Sequence, residues 1–159
     1  MKRFASLALV YFVVPLALHV GLFAADQGTP AEAKAMLSKA TAHYRMVGRK
    51  QALADFTAKR PPFYDRDLYV FCIGPERLVS ANGGFPETIG VPEDTAVDVD
   101  GKGLGATARQ VTSANGEGFV RYRWINPASH NLEPKITFFA KVGDDVCGVG
   151  TYGPSFQNH

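Results

Sequence analysis

Tyr122 and Trp124 stand two residues apart and interleave with Arg121 and Arg123, and Lys135 follows in the next alternating run of the chain. Aromatic donors beside fixed cations are what a buried carboxylate requires. A charge taken out of water is costly unless a cation and directed hydrogen bonds replace its hydration. Lys135, Arg121 or Arg123 could supply the charge; Tyr69, Tyr122, Trp124 or Tyr152 could supply donors and an apolar wall. Parity narrows the choice. In an extended chain Val120, Tyr122 and Trp124 share one face, while Phe119, Arg121 and Arg123 share the other, so at most one set lines a pocket. The return strand groups Lys135 with Thr137, Phe139 and Lys141. In the competing reading, Tyr122 and Trp124 are core aromatics and Lys135 is solvated.

These residues need strands to hold them. The runs 118–127 and 133–142 alternate as half-buried strands do, and Asn126-Pro127-Ala128-Ser129-His130-Asn131 between them is rich in turn formers, which predicts a β-hairpin. Residues 67–73 are nearly all apolar and β-rich, as for a strand buried on both faces. Gly74-Pro75-Glu76 turns it into a strand over 77–81, and residues 146–152 form the last strand, whose glycines allow close approach. Thr29-Pro30-Ala31-Glu32 has capping-box form and opens a helix. Its apolar stripe is Met36, Leu37, Ala40, Tyr44 and Val47, and Gly48 ends it. Shorter helices are expected over 49–58 and 104–113, with a loop-rich stretch over 82–105. The order is that of an α+β fold whose helices cover one sheet.

At the front, Lys2 and Arg3 precede an apolar run that ends in Ala24-Ala25 before Asp26. A basic start, an apolar middle and small residues at the end predict a secretory signal peptide over 1–25 and a domain over 26–159. Phe23 is a poor residue three before the cut. An uncleaved segment would be the chain's only membrane contact; Pro15 and His19 inside it favour export. The expected localisation is periplasmic or secreted. Lys2 and Arg3 are two of the 17 basic residues, so the exported part balances its 15 acidic ones. The electrostatic footprint of a nucleic-acid binder is missing, and no nucleic-acid partner is expected.

Four segments, Asp65-Arg66-Asp67-Leu68-Tyr69-Val70-Phe71, Gly118-Phe119-Val120-x-Tyr122-x-Trp124, Pro134-Lys135-Ile136-Thr137-Phe138 and Gly148-Val149-Gly150-Thr151-Tyr152, resemble in order and spacing the single Cache domains of the second type. The resemblance spans about residues 30–154. It implies a PAS-like five-stranded antiparallel sheet with a long N-terminal helix, and a pocket on one sheet face for small metabolites, often short organic acids. On that resemblance Tyr122, Trp124 and Lys135 are the ligand-binding positions, with Tyr69 and Tyr152 beside them. Phe138-Phe139 stands where relatives usually have a tyrosine, which removes a hydroxyl. No membrane span, coiled coil or kinase module follows Tyr152, so signalling through a separate, membrane-bound partner is expected. In the PAS-like strand order the first and last strands are neighbours. Cys72 and Cys147 could then form a disulfide if the register brings them together; otherwise they are small buried apolar residues.

No enzyme is expected. Asp94, Asp98, Asp100 and Gly101 approach the look of a calcium loop, but the spacing departs from the EF-hand pattern and the closing glutamate is missing, so no metal is assigned. His43 and His130 have no second ligand at a fixed offset, and Ser80 and Ser113 lack a nucleophile's setting. Asp65, Arg66 and Asp67 are expected as a local ion-pair cluster. No cofactor is implied, and no catalytic residues are assigned. Two function classes remain: a module that binds a small metabolite, and a structural or interaction module of the same fold with a filled pocket.

Overall fold

The computed structural model describes residues 27–156 apart from 100 and 102; the segment expected as a signal peptide lies outside the described residues. The element order is α1 (Pro30–Val47), α2 (Arg49–Thr57), β1 (Tyr64–Asp65), β2 (Leu68–Ile73), β3 (Val79–Asn82), α3 (Leu104–Thr112), β4 (Glu117–Ile125), β5 (Leu132–Val142) and β6 (Asp145–Tyr152).

Helix α1 starts where its cap dictates. The Thr29 hydroxyl accepts from the Glu32 amide at 3.2 Å, and the Glu32 carboxylate accepts from the Thr29 amide at 2.7 Å. This reciprocal capping satisfies two donors that the helix cannot. At the far end the Gly48 amide donates to Tyr44, and Gly48 takes a φ of 81°, a conformation costly for any side chain with a Cβ, so the chain can break into α2.

All strands pair antiparallel in the order β1-β2-β6-β5-β4, with β3 also on β2. The sheet thus has six strands rather than five. The additional one is the two-residue β1, too short to leave a period in the sequence. The β4–β5 hairpin turns on Asn126, whose side chain accepts from the Ala128 amide at 2.9 Å while its backbone brackets the loop through Asn131 and His130.

The two faces of the sheet carry two separate cores. On one, Leu68, Val70, Cys72, Ala140, Cys147 and Val149 pack against the stripe of α1 and against Ala52 and Phe56 of α2. On the other, Ile73, Val120, Tyr122, Phe139 and Val146 pack against α3 through Ala108. Cys72 and Cys147 are direct register partners and are joined by a disulfide on the helical face. Asp145, with no exposed surface, ties the helical face together: it accepts from the Tyr44 hydroxyl at 2.7 Å, Arg49 Nε at 2.7 Å and the Ser80 hydroxyl at 2.7 Å. Among the described residues no helix is long and apolar enough to cross a membrane.

Candidate functional site

The face of the sheet away from α1 is not fully covered. Between it and the irregular segment that joins β3 to α3 lies a cavity of about 350 Å³. Its floor includes Tyr69 and Phe71 of β2, Tyr122 and Trp124 of β4 and Phe139 of β5. Its roof includes Phe85, Thr88, Glu93 and Ala96, closed at one side by Leu104 and Gly105 of α3. Alternation along β4 places Tyr122 and Trp124 on this face and leaves Arg121 and Arg123 exposed on the other. The rings of Tyr122 and Trp124 meet edge to face, with centroids 6.1 Å apart.

Of the five predicted site residues, Tyr69, Tyr122 and Trp124 line the cavity; Lys135 and Tyr152 do not. Lys135 is nevertheless buried, with no exposed surface, and lies in the layer behind Tyr69. Its ammonium donates to the Tyr69 hydroxyl at 2.8 Å and sits 4.4 Å from the Tyr69 ring centre and 4.6 Å from that of Tyr152. It is held by rings that attract cations through their faces. β6 runs between Lys135 on β5 and Tyr69 on β2, so the lysine stem must cross a strand to get there. Gly150 makes the crossing possible. A Cβ at that position would overlap Lys135 Cε and Thr137 Oγ1, so any larger residue would push the lysine off the sheet.

The hydrogen bonds fix where the phenolic protons go. Tyr152 donates to the Ile125 carbonyl at 2.8 Å. Its proton is therefore spent, and Tyr152 can only accept from Tyr69, at a long 3.4 Å. Tyr69 accepts from Lys135, so its own proton is free to point at Tyr152 or into the cavity. The Tyr122 hydroxyl pairs with Thr137 at 2.8 Å. Burial pushes the pKa of Tyr69, Tyr122 and Tyr152 above the ordinary phenol value, so all three remain protonated at neutral pH. Burial lowers that of Lys135 to about 7, with the carboxylate of Asp67 opposing the fall.

Asp67 departs from the ion-pair cluster expected at the strand entrance. Arg66 does pair with Asp65 and Glu32, each at 2.7 Å. Asp67 instead is fully buried, its Oδ1 accepting from the Gly28 amide at 2.6 Å, while Oδ2 has no hydrogen-bond partner among the described residues. Burial raises its pKa, against the pull of the Gly28 amide.

The roof has its own anchor. Glu93 is 1% exposed and forms ion pairs with Arg77, at 2.9 Å, and with Arg109 of α3. Burial favours its protonation, but hydrogen bonds from Arg109 and Arg77 outweigh it and hold its pKa below the usual carboxylate value. None of the roof residues is a predicted site residue. Their segment is Gly- and Pro-rich without a period, and only the burial of a charged Glu93 marks it. Phe139 lines the cavity; Phe138 turns to the helical face under Lys34, 4.8 Å from its ammonium. Among the described residues no cluster of His, Cys, Asp or Glu could hold a metal ion.

A helix-backed antiparallel sheet hollowed on its other face defines a PAS-like α+β fold. The chain belongs to the single Cache domain 2 family, whose model matches residues 25–152. Similar solved structures include a methyl-accepting chemotaxis protein from Vibrio parahaemolyticus, 18% identical, with a TM-score of 0.65 over 80% of this chain and 90% of that one. Another is a periplasmic sensor domain of a chemotaxis protein, 24% identical, with a TM-score of 0.57 over 77% of this chain and 88% of that one. A third is a Cache chemosensory domain that recognises carboxylic acid, 19% identical, with a TM-score of 0.56 over 75% of this chain and 84% of that one. At these identities the likeness is one of fold. A comparison with curated proteins found no match.

Proposed function

We propose that this chain is an extracytoplasmic binding module that recognises a small carboxylate and reports its occupancy to a separate, membrane-bound signalling protein. The observation that carries this reading is the Lys135 ammonium, held 2.8 Å from the hydroxyl of Tyr69, a residue that lines the hollow. A carboxylate against Tyr69 accepts a hydrogen bond from the phenol and has a positive charge one hydrogen bond behind it. At about 5 Å and an effective dielectric of about 20, that charge contributes about 3 kcal/mol. The same anion favours the protonated lysine, offsetting the burial that otherwise discharges it. Family membership and the carboxylic-acid-recognising neighbour support the ligand class; the basic-apolar front of the sequence supports export.

Thermal unfolding against a panel of carboxylates and amino acids tests this. A ligand at a hundred times its dissociation constant stabilises by about 2.7 kcal/mol. Carboxylates should raise the melting temperature of the native chain and not that of Lys135→Met. If no carboxylate shifts it, the binding reading fails and a purely structural module of this fold remains.

A further inference from the structure

The cavity changes character along the strands. Register places Tyr122 opposite Lys135, and Lys135 opposite Tyr152; one step along β2 from Tyr69 on the same face comes Phe71, in a row with Gly148 and Phe139. Two residues further comes Ile73, paired with Val146. On the floor the hydroxyls therefore sit at one end, and successive rows, about 7 Å apart, are apolar. Leu104 and Val79 extend the apolar wall. Among the described lining residues Glu93 is the one anionic group, and its charge is engaged by Arg77 and Arg109. Among the described lining residues a second carboxylate on a ligand would face rings, Glu93 or the uncharged Asn82, Thr88 and Thr95 rather than a cation. A two-carbon acid would leave most of the 350 Å³ unused.

Resting on the carboxylate reading above, we infer that the ligand is a monocarboxylic acid of six or more carbons in all, its carboxylate at Tyr69 and its apolar body along Phe71, Phe139 and Ile73. Each methylene that leaves water for this wall tightens binding about fourfold, so length is rewarded until the hollow is full.

The test is calorimetric titration of the full chain with acetate, succinate, hexanoate and benzoate, repeated on Leu104→Trp, with Val91→Phe as the substitute if the tryptophan variant does not fold. Hexanoate or benzoate should bind at least tenfold more tightly than acetate, and succinate no better than acetate. The filled variant should lose at least tenfold for the longer acid and stay within about twofold for acetate. Acetate or succinate binding as tightly as the apolar-bodied acids overturns the inference and leaves the carboxylate reading intact. Unchanged hexanoate and benzoate affinity in the filled variant overturns the placement of the body. No binding by any of the four acids overturns both readings.

Discussion

The Lys135 ammonium lies 2.8 Å from the Tyr69 hydroxyl and 4.4 Å from the centre of the same ring, although β5 and β2 are separated in the sheet by β6. A lysine that would ordinarily reach for water thus lies across a strand, its ammonium bonded to a tyrosine that lines the cavity.

This placement makes stability depend on pH in a defined window. The folded-state pKa of Lys135 is about 7, against 10.5 for the free side chain. Below pH 7 both folded and unfolded chains carry the proton, and the burial penalty is present in full. Between about 7 and 10 the unfolded chain binds the extra proton, so stability rises with pH by up to about 1.4 kcal/mol per unit. Above about 10 the buried tyrosines, which keep their protons longer than free phenols, reverse the trend. Lys135→Met should flatten the rise between pH 7 and 10 and be the more stable form at pH 6, as expected when an apolar group replaces a buried charge. Urea unfolding across this range checks it; an unchanged slope in the variant would exclude Lys135 as its source.

Gly150→Ala should cost about 1–3 kcal/mol, as overpacking does. The added Cβ meets Lys135 Cε and Thr137 Oγ1, and the Ile136 carbonyl at 3.0 Å. Combined with Lys135→Ala the penalty should shrink, so a double-mutant cycle on the melting curves should give a coupling of about 1 kcal/mol. Strict additivity would show that the glycine serves something other than the lysine.

Asp145 is buried under three donors from α1, α2 and β3, while Arg49 is 43% exposed at its side chain. Partial exposure of the cation discounts the pair, but removing the acceptor strands Tyr44 and Ser80 as well. Asp145→Ala should lose about 3 kcal/mol and Asp145→Asn about half of that. A change below about 1 kcal/mol in urea unfolding would mean that the helical face holds without it.

What could be read from the sequence was local. Thr29 and Glu32 mark the start of α1 within one turn, and alternation alone separates Tyr122 and Trp124 from Arg121 and Arg123. The depth of Lys135 was not legible: it depends on a missing Cβ at Gly150, fifteen residues on and one strand over. Asp67 reads as a member of a charged triplet, yet strand parity puts it with Tyr69 and the Gly28 amide caps it. The roof is least legible, because Phe85, Thr88 and Glu93 are placed by turns and by distant arginines rather than by any period.

The Cys72–Cys147 bond crosses from β2 to β6 one residue along from Phe71 and Gly148, so the two strands beneath the hollow are stitched together near the end of β2. With that seam closed, β2 and β6 cannot separate beneath the cavity. The opposite wall has no such bond among the described residues and is held instead by Arg77 and Arg109 gripping a single glutamate.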